Sequence, residues 1–470
     1  MNLPTGILPL PPHPLTPMPP SSSQSAPTPD PAATASEESW WLFRNDKSAL
    51  ADLKPEDRRQ RRTSGTGVWP SAPPWRRFGH QAKDRSGQEQ SAADQLGMND
   101  AYWQDLDKIA SGNQRDLRRG RTFRVPRGDD KTTLTPRGER ILLAVNAAIH
   151  LRRPLLVTGL PGSGKTSLAY AIANELGLGP VLVWAITPRS RLLEDGLYRY
   201  DALARLQQAD LNRSAWQPRD NSASRRRQTT PELKPPPIDP FLRLGPVGTA
   251  FLPSRWPRVL LIDEIDKGDL QLPNELLHLF EEGRYEITEL TRARLEPGQT
   301  SHSIRTADAS QVDFSRADSQ EQPLKAELRS GFVSCREFPI VVMTSNRERE
   351  FPPAFHRRCI RLSMPPPDEH ALTPIVEAHF ADELSGQQPQ GEQLREDIRQ
   401  FLGIGASDGE AADPAGPPNI SDRAVDQLLN SLFLLTRECK DGPTPNQRQE
   451  LLRILHRNLS DTSDEPEASG

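Results

Sequence analysis

The stretch Leu155-Leu156-Val157-Thr158-Gly159-Leu160-Pro161-Gly162-Ser163-Gly164-Lys165-Thr166-Ser167-Leu168 decides how the chain is read. Its first residues, LLVT, predict a short buried strand, and SLAYAIANEL after the glycines predicts a helix. Between the two, Gly159 to Thr166 fits G-x-x-x-x-G-K-[ST] in full, in the strand-to-helix setting that the motif's mechanism needs. The glycines let backbone N–H groups wrap an anion, and the helix N-terminus favours its negative charge. Gly159, Leu160, Pro161, Gly162, Ser163, Gly164, Lys165, Thr166 and Ser167 are therefore expected to hold a nucleotide's phosphates. Lys165 should reach the β/γ-phosphates and the Thr166 hydroxyl should ligate Mg²⁺. A Gly-rich turn with a solvent lysine would not require the flanking strand and helix.

Outward from this loop, the same alternation repeats. VLVWAI (181–186), VLLIDE (259–264) and IVVMTSN (340–346) are continuous apolar runs, and helical segments separate them. Such runs predict a parallel sheet covered on both faces, hence an α/β fold. Two of them end in chemistry. Asp263 and Glu264 lie at the C-terminal edge of their strand, where ligands sit in open α/β sheets. Asp263 would hold Mg²⁺, and Glu264 would orient and polarise an attacking water. Asn346 ends the next strand, where its amide can reach a γ-phosphate and the lytic water, although Asn also favours turns for its own reasons.

The interval from Lys165 to Asp263 is long for this arrangement, and a Pro/Arg-rich tract near 211–238 accounts for it as an insertion. A second aperiodic tract near 291–330 reads as a further surface insertion. Residues 1–91 form a Pro-rich region expected to be disordered, with aromatic islands SWWLFRND and WPSAPPWRRF. Those islands read as docking motifs, for a partner or for the chain's own body. Residues 92–130 read as a helical segment and a basic linker, Arg115–Arg127. Thr135 then caps a helix opened by Pro136 and running through His150. The α/β nucleotide-binding domain spans 131–365, an all-α lid 366–460, and an acidic tail 461–470. Helical spacing covers LLEDGLYRYDALARLQQADL (192–211), in which Tyr198 and Tyr200 would lie on different helix faces, as core or as a ring-pore or partner element.

The order of phosphate loop, Asp-Glu strand, Asn-ended strand, PPAFHRRCIRL and helical C-terminal part resembles the AAA+ ATPases. LLIDEIDKGDLQLPNELLHLFEEGRYEI, GPVGTAF and TSNREREFPPAFHRRCIRL resemble the MoxR group in detail. The resemblance covers about residues 130–460. It implies a homo-hexameric ring, ATP with Mg²⁺, and an arginine that reaches the neighbour's γ-phosphate. Arg357 and Arg358 stand at that position, with Arg358 favoured because the apolar Cys359 and Ile360 follow it. Ile420-Ser421-Asp422-Arg423-Ala424 resembles the lid helix whose arginine contacts the phosphates, which here is Arg423. The family's frequent partners carry von Willebrand factor A domains, so the resemblance implies a chaperone-like remodeller with such a partner in another chain.

Composition bounds the alternatives. The 470 residues include 47 prolines, hydrophobic residues are 35%, and net charge is −4. That balance offers no broad cationic track, which argues against a nucleic-acid-directed motor despite Arg115–Arg127 and Arg225–Arg227. A slow nucleotide switch in a defence system is the companion alternative. A small-molecule kinase would need neither the trans-acting arginines nor the lid, and no N-K-x-D motif points to GTP. Cys335, Cys359 and Cys439 are scattered without a CxxC pair, which fits a cytoplasmic, soluble protein without a disulfide framework. The N-terminus lacks a basic n-region, and no apolar run approaches the ~20 residues that span a bilayer.

Overall fold

The computed structural model describes residues 40–45, 53–62, 69–78, 97–128, 133–215, 235–293, 298–310 and 324–364, with isolated positions 375, 376, 429 and 447. Every element named here belongs to one unit of the chain, which begins at Trp41. Its helices are α1 (Pro55–Arg62), α2 (Asp100–Gly112), α3 (Gln114–Thr122), α4 (Pro136–Leu151), α5 (Lys165–Leu176), α6 (Ala202–Ala215), α7 (Pro246–Ala250), α8 (Leu272–Glu282), α9 (Thr288–Arg292) and α10 (Pro353–Arg358).

The centre is a five-stranded parallel sheet of β1 (Leu155–Thr158), β2 (Leu182–Ala185), β5 (Val259–Asp263), β10 (Ile340–Ser345) and β11 (Ile360–Ser363). The spatial order is β11-β1-β10-β5-β2. The three inner strands are buried almost without interruption, as expected where helices cover both faces. The outer strands β2 and β11 alternate buried and more exposed residues, the mark of sheet edges. Because β10 lies between β1 and β5, the ends of all three meet at one edge. The fold is therefore the parallel-sheet α/β core that the apolar runs predicted.

α4 begins as its sequence dictates. The Thr135 hydroxyl accepts from the Gly138 N–H at 3.1 Å, and Pro136 occupies the first helical position. No helix among the described residues is long and apolar enough to cross a membrane.

Three expectations are corrected. The tract near 291–330 contains β7 (His302–Arg305) and β8 (Lys325–Leu328), which join β3 (Tyr198–Tyr200) and β4 (Leu242–Leu244) in a second sheet. Its pattern is hard to see because only His302 and Ile304 of β7 are buried, and His302 is acceptable there because its Nδ1 meets Asp239 at 2.7 Å. A hairpin of β6 (Arg284–Glu286) and β9 (Phe332–Ser334) uses the tract's C-terminal flank. The helix expected over 192–211 is instead a π-helical turn (Leu192–Leu197), strand β3 and then α6. In a strand Tyr198 and Tyr200 share one face, and they pair with Leu244 and Leu242. The basic linker is largely helix: α3 carries Arg115–Arg121, packs along α5 and places Arg119 over the Tyr170 ring, 5.3 Å from its centroid. Of the tract 211–238, residues 216–234 lie outside the described residues, while Ile238 is buried.

Short N-terminal segments lie against this body, the second of the two docking alternatives. The N–H groups of Leu42 and Phe43 donate to Asn146 Oδ1 on α4, at 2.8 and 3.0 Å. Those of Arg44 and Asn45 donate to the two oxygens of Glu175 on α5, each at 2.8 Å. Trp69 meets Trp256 edge-on and Phe78 stacks on Phe338. Backbone hydrogen bonding fixes each segment while its aromatic side chains bury apolar area. The lid expected at 366–460 lies outside the described residues apart from the isolated positions.

Candidate nucleotide site

β1 ends at Thr158, and Gly159 turns the chain away from the sheet edge. A side chain there is impossible without movement, since a Cβ would lie 2.2 Å from the Met364 carbonyl oxygen. Gly162 and Gly164 then take φ of 75° and 85°, the left-handed region that glycine enters without steric cost. These turns end where α5 starts at Lys165.

Within the loop, the Lys165 ammonium folds back to donate to the carbonyls of Gly159 (2.8 Å) and Leu160 (2.7 Å). Burial lowers its pKa, and Asp263, Asp266 and Glu264 work in the opposite sense. Ser163 Oγ is buried without a hydrogen-bond partner. A buried hydroxyl with nothing to bond and an ammonium resting on carbonyls are both what a phosphate would satisfy.

Thr166, at the first turn of α5, donates to Asp263 Oδ1 at 3.0 Å. Thr344 of β10 donates to the same oxygen at 2.6 Å, and its hydroxyl accepts from the Glu264 N–H at 2.9 Å. Glu264 itself has φ 58°, a left-handed conformation that is strained for a side-chain-bearing residue. The turn aims its carboxylate along the edge. Oε1 lies 3.4 Å from Asn346 Nδ2, and Oε2 lies 2.8 Å from Lys267 Nζ. Asp266, almost fully buried, accepts from the N–H groups of Asn346 (2.9 Å) and Glu348 (3.1 Å) through one oxygen. It thereby ties the Asn346 turn to the acidic strand.

The structure thus brings together Gly159–Thr166, Asp263, Glu264 and Asn346. Reading the sequence missed Thr344, Asp266 and Lys267. Thr344 carried a usable signal, because a residue two before Asn346 at a strand end shares its face. Arg357 and Arg358 stand apart from the loop on α10. Arg358 Nε pairs with Glu281 of the same chain at 2.7 Å, while Arg357 is exposed and its carbonyl accepts from Arg153. Arg423 lies outside the described residues.

A magnesium–triphosphate fits this donor set. Thr166 and Asp263 offer hard oxygens next to the phosphate cradle, and Mg²⁺ commonly takes one or two protein oxygens with substrate phosphates completing its shell. A cavity of about 340 Å³ lined by Arg58, Tyr170 and Asn174 lies elsewhere, toward the other end of α5.

No family model and no curated protein matches the chain. Among solved structures, it is similar to C. elegans PCH-2 at 13% identity and TM-score 0.26, over 75% of this chain and 71% of that one. It is similar to NtrX from Brucella abortus, in complex with ADP, at 14% identity and TM-score 0.29, over 76% and 72%. Likeness at this level carries no argument. Strand order and contacts within this chain define the site.

Proposed function

We propose that the chain is a Mg²⁺-dependent ATPase of the AAA+ type, close to the MoxR group, that couples ATP binding and hydrolysis to remodelling a partner protein. The observation that carries this reading is the meeting, at one sheet edge, of a phosphate-type loop with Asp263, Glu264 and Asn346 through the Thr166–Asp263 contact at 3.0 Å. Bound Mg²⁺ would neutralise developing phosphate charge. Lys165 and the loop amides would bind the triphosphate, Thr166 and Asp263 would hold the metal, Glu264 would orient the water, and Asn346 would steady both water and carboxylate. Each Glu264 oxygen accepts from one partner, Asn346 or Lys267, which leaves a further lone pair on each for the water.

A ring assembly, with Arg358 or Arg357 completing a neighbour's site and Arg423 sensing nucleotide from the lid, belongs to the same proposal. So does a partner with a von Willebrand factor A domain. In support, Arg358 is half-exposed and its carboxylate partner among the described residues is a surface glutamate, a pairing weak enough to exchange. Within the basic stretch 115–127, Arg119 and Arg124 are used on Tyr170 and on neighbouring carbonyls, which leaves less for nucleic acid.

Mixing tests the assembly. Arg358→Ala chains and Lys165→Ala chains should each be inactive alone and regain part of the ATPase activity when combined. No recovery at any ratio would count against catalysis across an interface.

A further inference from the structure

Directly after Asn346 the backbone enters a conformation that side chains rarely adopt: Arg347 has φ 64°. The turn is fastened on every side. Asp266 receives the flanking N–H groups of Asn346 and Glu348, and the Arg347 N–H donates to Ser345 Oγ at 3.0 Å. The guanidinium then reaches across the sheet edge. Its Nη2 donates to Thr158 Oγ1 at 3.2 Å and to Ser363 Oγ at 2.6 Å. Those hydroxyls end β1 and β11 and are register partners. Arg347 is exposed, yet among the described residues no carboxylate pairs with it, although Glu348 and Glu350 are close in sequence. An arginine that bridges two neutral hydroxyls, one of them directly before Gly159, is placed by geometry rather than by charge pairing.

We propose that Arg347 is a positioning residue for hydrolysis: by bridging Thr158 and Ser363 it holds the left-handed turn that keeps Asn346 aimed at Glu264. The role rests on the ATPase reading of the site. A left-handed residue other than glycine is strained and persists only where its surroundings over-determine it. The Asp266 contacts and the guanidinium bridge are that surrounding. Without the bridge, the turn would keep its backbone anchors on Asp266 but lose its tie to the ends of β1 and β11, and displacements of about 1 Å in a positioned group cost up to about a hundredfold in rate.

Steady-state kinetics on the full chain tests this. Arg347→Gly accepts the left-handed backbone without steric cost, so it removes the guanidinium brace without adding strain of its own and leaves the turn free to move. It should lower kcat about ten- to a hundredfold with KM for ATP little changed, because the phosphate loop is intact. Thr158→Val combined with Ser363→Ala removes both acceptors and should reproduce the loss, and adding Arg347→Gly to that pair should add little. Wild-type kcat in Arg347→Gly overturns the proposal, as does a full additional loss when the three changes are combined. If the wild-type chain hydrolyses no faster than Glu264→Gln, the ATPase reading fails and the proposal falls with it.

Discussion

The two ends of strand β5 both carry charged residues and put them to opposite uses. At the N-terminal end, Arg258 is 1% exposed and Asp308 0%, joined by two contacts of 2.8 Å. Arg258 also donates to the Pro180 carbonyl, and the Tyr102 hydroxyl donates to Asp308, its own pKa pushed far up by burial. Nearly every donor and acceptor there is occupied by a fixed partner. At the C-terminal end, Asp263 and Glu264 are half-buried, adjacent, backed by a strained turn and held by hydroxyls, an amide and a surface lysine. Charges sealed by matched partners build the fold. Charges left open to an edge, with exchangeable partners, are available for chemistry.

Substitutions at the two ends should therefore fail in different ways. The largest effect is expected at the C-terminal end, where Glu264→Gln should slow turnover by about 10²–10⁴-fold. ATP should still bind, as phosphate release measured beside nucleotide binding would show. Hydrolysis at the native rate would erase the contrast. At the other end, Arg258→Met alone should destabilise the chain by about 3–5 kcal/mol, since it strands a buried carboxylate. Replacing both partners, Arg258→Met with Asp308→Leu, should recover much of that loss. Urea midpoints report both, and ATP affinity of the folded variants should be unchanged.

How much of this contrast was legible in the sequence follows from the physics of each end. Leu260–Ile262 and Ile340–Met343 declare a covered sheet because both faces are apolar, and the phosphate loop declares itself by glycine spacing. The partner of Arg258 did not declare itself, because Asp308 lies in a polar tract whose strands are four residues long with only two buried positions each. Thr344 shares a face with Asn346 and was within reach of the pattern, but its contact with Asp263 depends on β10 lying beside β5, which is a matter of strand order and not of local pattern. The aromatic islands were visible, but nothing local says that Asn146 and Glu175 wait for the backbone of residues 42–45.

The smallest effect is expected away from both ends. Arg358→Gln should change stability by no more than about 1 kcal/mol, because both it and Glu281 are half-exposed. A thermal melt would check that. If it instead unfolds the chain, α10 is held by that pair and the arginine is not available to a neighbour.

One titration reaches the central claim most directly. Calorimetry of ATP with Mg²⁺ into the full-length chain should show saturable binding, and Lys165→Ala, equally folded, should show none. Folded wild-type protein that takes up no adenine nucleotide would contradict the account at its root.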